Sequence, residues 1–245
     1  MSTLLRAELL KLRTTRTFVT LVAATMVLSL LVVGLSAILQ DDFTEQQVRE
    51  LFTADFSGLF ILVLGVIGMA GEWRHRTITS SILAAPARVR LLTAKLLAYA
   101  AAGALLSLVV TVALMALGTL ILSIRDQPTI GLADMADVLW RNLVVAALLA
   151  AFGVCIGGLL RNQIVAIVGL LIFAFVLEPT LIALVPEVGQ FGPTSGAPNG
   201  VIGINPFDDG DGATLSTGVA LLVMIGWVGL GFAATAGLLR RRDLV

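Results

Sequence analysis

The residues able to do chemistry are few, and they stand alone. His75 is the only histidine and Cys155 the only cysteine. A zinc hydrolase helix of the HExxH type needs two histidines. A phosphate-binding loop needs glycines followed by Lys and Ser or Thr. The two lysines, Lys11 and Lys95, follow Leu10 and Ala94, so ATP has no such cradle. The run Asp208-Asp-Gly-Asp-Gly fails the acid spacing of a calcium loop and lacks its closing Glu; it reads as a solvated turn. Cys155, flanked by Phe-Gly-Val and Ile-Gly-Gly, reads as a small apolar packing residue. No catalytic residue and no metal site are assigned. One carboxylate sits within a long apolar run, Glu178 in FVLEPT. Pro179 follows it and can free a backbone carbonyl and kink a helix.

These residues are set in a chain that is 58% hydrophobic and 13% charged, against about 25% charge in an ordinary soluble domain. The composition is that of a polytopic membrane protein. Runs near the required ~20 apolar residues predict six spans: Phe18–Leu39, Phe56–Ala70, Leu96–Ile124, Leu143–Leu160, Ile164–Val185 and Leu215–Leu239. The first is too long for a signal-peptide core and reads as a retained span. The third overshoots a ~30 Å hydrocarbon core and should tilt or project into water. The fold class is therefore an all-α membrane protein with six transmembrane helices.

With the N-terminus placed in the cytoplasm, the inner segments hold thirteen Lys and Arg residues. The outer segments hold three, Arg49, Arg125 and Arg141. The acids lie the other way, including Asp41, Asp42, Glu45, Glu50 and Asp55 in the first outer loop. The positive-inside rule then puts both termini in the cytoplasm of a cell that carries the protein in its inner or plasma membrane. No loop is long enough for an independent core, so residues 1–245 read as one bilayer-embedded domain. The outer segment 186–213, rich in Pro and Gly, leaves two readings open: a loose loop, or one folded back to close a cavity. Glu178 likewise either lines a polar path or is hydrogen-bonded and structural. Gly153 with Gly157, and Gly226 with Gly229, are candidates for close helix packing.

The cytoplasmic segment 71–95 gathers Arg74, Arg76, Arg88, Arg90 and Lys95. Within it Thr77 can cap a short helix from Ile78 to Ala85. Ile78 and Ile82 share one face, Leu83 adds to it, and Pro86 ends it. At the N-terminus Leu5, Leu9 and Leu12 make an apolar stripe, and Glu8 can pair with Lys11. Simple positive-inside anchoring remains an alternative for both segments.

The order Glu72, Arg74, Thr77, Leu83, Pro86, Arg88 between spans two and three resembles the permease subunit of a type-2 ATP-binding-cassette exporter. The opening LLRAELLKLRTTRT and the closing LLRRRDL support the resemblance, which covers essentially the whole chain. It implies that Glu72, Arg74, Arg76, Thr77, Ile78, Ile82, Leu83, Pro86 and Arg88 form a coupling helix and its frame. It further implies that residues 1–17 are a connecting segment on the inner surface, and that segment 186–213 is partly re-entrant.

The partners implied are a nucleotide-binding ATPase subunit and a second permease, identical or not, in a lipid bilayer, with no nucleic acid. ATP and Mg would be bound by the ATPase, so this chain holds no cofactor and is not itself an enzyme. The expected function is ATP-driven efflux of a drug, antibiotic, peptide or lipid. The rival readings are a self-contained secondary transporter and a non-transporting membrane scaffold. Ala-, Leu-, Val- and Arg-rich usage with two lysines points to a high-GC bacterium.

Overall fold

The computed structural model describes residues 2–74, 87–160, 162–205 and 214–241, and every regular element among them is helical. In chain order these are α1 (Ser2–Thr14), α2 (Arg16–Leu39), α3 (Glu45–Thr53), α4 (Ser57–Arg74), α5 (Arg88–Ile124) and α6 (Leu132–Leu159). Then come α7 (Gln163–Ile172), a π-helical turn (Phe173–Leu177), α8 (Glu178–Leu184), α9 (Pro186–Gly189), α10 (Gly196–Ile202) and α11 (Thr217–Arg241). Among the described residues six stretches are long and apolar enough to cross a membrane, the fifth running from α7 through α8.

Two of these helices start earlier than the apolar runs suggest. The fourth span begins at Leu132 rather than Leu143, because its polar first turns are paired. Asp134 and Asp137 both pair with Arg49, and Asp137 also forms an ion pair with Arg141 at 2.9 Å. The third begins at Arg88 rather than Leu96, and the charge of Lys95 is met by two carboxylates. At 37 residues it is about 55 Å long, well beyond the ~30 Å hydrocarbon core. Its first turns pack beneath α1, where Leu91 and Leu92 are buried with Leu12. Helix α3 was not expected. Its signal was present in Thr44-Glu-Gln-Gln47, a capping box in which the Thr44 hydroxyl accepts from Gln47 N and the Gln47 side chain accepts from Thr44 N.

The central pair is α4 and α6, which belong to both buried apolar clusters. One cluster joins them to α1, α2, α3, α5 and the end of α11, and the other to α7, α10 and the start of α11. Gly153 and Gly157 make the close approach. A Cβ on Gly153 would fall on the Leu62 carbonyl, and one on Gly157 would sit 2.6 Å from the Val66 carbonyl oxygen. Gly226 and Gly229 behave differently, because a Cβ at either meets nothing within 4 Å. Residues 186–205 pack back on the bundle, with Ala197 and Val201 buried beside Val145, Ala220 and Met224. The large apolar side chains left outside, such as Leu31 and Leu35 on α2 and Leu222 and Leu230 on α11, suit a lipid surround.

Overpacking a tight contact costs about 1–3 kcal/mol. Gly157→Leu should therefore lower the thermal midpoint of the purified chain by several degrees, whereas Gly226→Leu should leave it unchanged. Thermal unfolding of the three proteins in one detergent checks both.

Candidate functional site

Of the residues assigned to the coupling loop, Arg76, Thr77, Ile78, Ile82, Leu83 and Pro86 lie outside the described residues, as does His75. The two ends of the loop are described, and each carries a charge that enters the bundle. Glu72 lies on the last turn of α4 and is 8% exposed. Lys95 lies on the second turn of α5 and is 1% exposed. Lys95 Nζ donates to Glu72 Oε1 at 3.0 Å, to Glu8 Oε2 at 2.6 Å and to the Gly68 carbonyl at 3.3 Å. All three of its hydrogens are thereby used.

Lys11 completes the arrangement from α1. Its Nζ donates to Glu8 Oε1 at 2.7 Å and to Glu72 Oε1 at 3.2 Å. Two lysines and two glutamates from three helices thus form one neutral cluster. The expected Glu8–Lys11 pair is present, but it is half of a larger unit.

The buried face of α1 differs from the stripe of Leu5, Leu9 and Leu12. Leu12 is buried, but Leu9 is 38% exposed and Glu8 is 3% exposed. A carboxylate takes the inner position because two ammonium groups neutralise it there. Burial pushes the Glu8 carboxyl upward, but Lys95 and Lys11 outweigh this and hold it below its ordinary value. Burial lowers Lys11 in turn, and Glu8 and Glu72 outweigh that and raise it.

A cavity of about 690 Å³ opens beside this cluster, and the unpaired oxygens Glu72 Oε2 and Gln163 Oε1 border it. Arg74 also lines it. Arg88 reaches the far side of the bundle end, donating to the Leu239 carbonyl at 2.5 Å.

At the opposite end Glu178 is 1% exposed. Its Oε1 accepts from Ser195 N and Gly196 N at 2.7 Å each, and both oxygens accept from Thr194 N. The Thr194 hydroxyl also donates to Oε2. The carboxylate therefore holds the chain between α9 and α10 against α8. Pro179, which has no N–H, follows the π-helical turn, where Glu178 N bonds Phe173 O.

The three arginines that the charge rule leaves on the outer side all have partners. Arg49 pairs with Asp134 and Asp137. Arg125 donates to the Ala37 and Gln40 carbonyls at the end of α2. Arg141 joins α10 to α11 through Val201 O and Thr217 Oγ1. Sequence spacing does not reveal these bonds, because each crosses between distant helices. Among the described residues no group of three or more His, Cys, Asp or Glu is placed to hold a metal ion.

Six apolar helices, with their polar groups joined pairwise between helices, define a multi-pass membrane protein. A family model described as ABC-2 family transporter protein matches residues 4–177, and the chain belongs to that family of transporter permeases. The resemblance carried by the order of motifs is thus borne out. No curated protein matches the chain. The matched segment includes the whole four-charge cluster and stops at the residue before Glu178.

The lowered Glu8 carboxyl contributes stability that is present above the ordinary carboxylate value of 4.5 and is lost as pH falls through the lower folded value. Wild type should therefore have a higher thermal midpoint than Glu8→Gln at neutral pH. That gap should close as the solution is acidified below the depressed value. Thermal unfolding of both proteins across an acid pH series measures it.

Proposed function

We propose that this chain is the membrane-spanning subunit of an ATP-driven exporter, moved by a separate nucleotide-binding subunit that docks on segment 71–95. The observation that supports this reading is the charge cluster. Its members Glu72 and Lys95 stand on either side of the docking loop, and both bind α1, Glu72 through Lys11 and Lys95 through Glu8. A displacement of the loop would be passed to α1, α4 and α5 together, because moving one helix alone would separate a buried ion pair.

In this reading both termini and the loop face the cytoplasm of the cell membrane. The ATPase supplies ATP and Mg, and two permease subunits, identical or different, form the path. The apolar face of Ile78, Ile82 and Leu83 is the contact surface, framed by Arg74, Arg76, Thr77, Pro86 and Arg88. Glu178 fixes the segment after α8 at the outer end, which supports the structural role for that carboxylate over a place in the path. The cargo is a drug, antibiotic, peptide or lipid.

Fully burying one aliphatic side chain is worth ~1.5–3 kcal/mol, and an unpaired charge in its place adds a further penalty. Ile82→Asp should insert at the normal level yet fail to retain the co-expressed ATPase in a pull-down. Arg88→Gln should retain most of it, since a partly solvated charge contributes little. Full retention by Ile82→Asp would remove this helix as the docking surface.

A further inference from the structure

A second cavity, of about 280 Å³, lies at the end of the bundle remote from the charge cluster. It is bounded by the start of α4, by α6 and by the segment that Glu178 holds. Asp55 is at its edge. Sequence reading places this residue in an outer loop with other acids, but the structure turns it into the bundle. Its Oδ2 accepts from Ser57 Oγ at 2.8 Å, Ser107 Oγ at 2.5 Å and Thr111 Oγ1 at 3.0 Å. Its Oδ1 accepts from Ser57 N at 2.8 Å. Among the described residues no Lys or Arg forms an ion pair with it, so the carboxyl group is held by hydrogen bonds without a counter-charge.

Asn142, which is 4% exposed, lines the same cavity. Its Nδ2 donates to the Phe52 carbonyl at 3.3 Å and to Thr111 Oγ1 at 3.1 Å. The Phe52 carbonyl can only accept, so it fixes which end of the amide is nitrogen. The Thr111 hydroxyl has given its hydrogen to Asp55. The hydrogens therefore run in one direction, from Asn142 through Thr111 to Asp55. Asn142 Oδ1 is left as a buried acceptor with no partner. Ser57, whose hydroxyl hydrogen is also committed to Asp55, can offer the cavity only acceptor capacity. A buried acceptor is costly to leave without a donor, and because Asn142 lines the cavity an occupant there can supply the missing one.

We propose that this cavity binds a primary ammonium group carried on a short apolar chain. The ammonium supplies N–H donors to Asn142 Oδ1 and the positive charge that Asp55 lacks. The apolar chain lies against Leu59, Leu62, Val145 and Leu149, which form much of the remaining wall. Water can satisfy Asn142 but not the carboxylate charge, and a quaternary ammonium can meet the charge but not the acceptor. The site belongs to one chain and does not depend on docking of an ATPase.

The test is calorimetric titration of the full chain in nanodiscs with n-butylammonium, n-butyltrimethylammonium and n-butanol. Saturable binding of n-butylammonium is expected, with the quaternary analogue at least about tenfold weaker for want of the donor and butanol giving no saturable signal. Asp55→Asn and Asn142→Leu should each weaken n-butylammonium by about tenfold or more. If either variant fails to fold, the three-probe comparison on wild type still decides. Absence of saturable n-butylammonium binding would mean that the cavity holds water only and would overturn the proposal. Comparable binding of the quaternary analogue or of butanol would overturn it as well. Neither result bears on ATPase capture, so this site and the exporter reading fail separately.

Discussion

An ammonium group in the interior of an apolar bundle is costly unless its charge and its hydrogens are both met. Lys95 meets this constraint with two carboxylates from different helices and one backbone carbonyl. Replacing a buried ion cluster by well-packed apolar residues is often neutral or stabilising, while removing one partner costs about 3–5 kcal/mol. The cluster is therefore better understood as a register device than as a source of net stability. It fixes α1, the end of α4 and the start of α5 in one relative position. Sliding any one of them would separate at least one buried ion pair. The long α5 depends on it, because its first turns extend beyond the apolar run that sequence alone reads as a span.

The opposite end is fixed by other means. There the chain uses arginine forks and a carboxylate cap in place of a lysine–glutamate cluster. Arg49, Arg125 and Arg141 cross between elements, and Glu178 gathers three successive amides. An arginine fork can satisfy several carbonyls at once, which suits short segments with exposed ends. The two ends are linked by α4 and α6, whose close approach at Gly153 and Gly157 allows few internal adjustments. Motion delivered at one end would then travel as a shift of packed helices.

The six spans were legible because hydrophobic length is a direct record of bilayer thickness. The order of motifs around Glu72 and Arg88 was enough to indicate the family. Positions of charge were less legible. Lys95 reads in sequence as an interfacial marker and Asp55 as a loop acid, and both are turned into the bundle. Nothing local in the sequence distinguishes them, since their partners lie on other helices: Glu8 for Lys95, and Ser107 and Thr111 for Asp55. The apolar stripe of α1 passes through Leu9 in the sequence, while Glu8 takes the inner position in the fold. Apolar periodicity cannot anticipate a carboxylate that is neutralised from across the bundle. Helix α3 carries its capping box in the sequence, but a short polar helix gives no span signal.

Lys95 holds α1 in place through Glu8. A 13-residue helix is marginal without tertiary contacts, so its protection should come from this docking. The direct measurement is amide hydrogen exchange, resolved along the chain, for wild type and Lys95→Met in the same nanodisc. Exchange in residues 4–12 should rise sharply in the variant, while the central turns of α4 and α6 keep their protection. Unchanged protection of α1 in a folded Lys95→Met protein would contradict the account, because the helix would then be held by its apolar contacts alone.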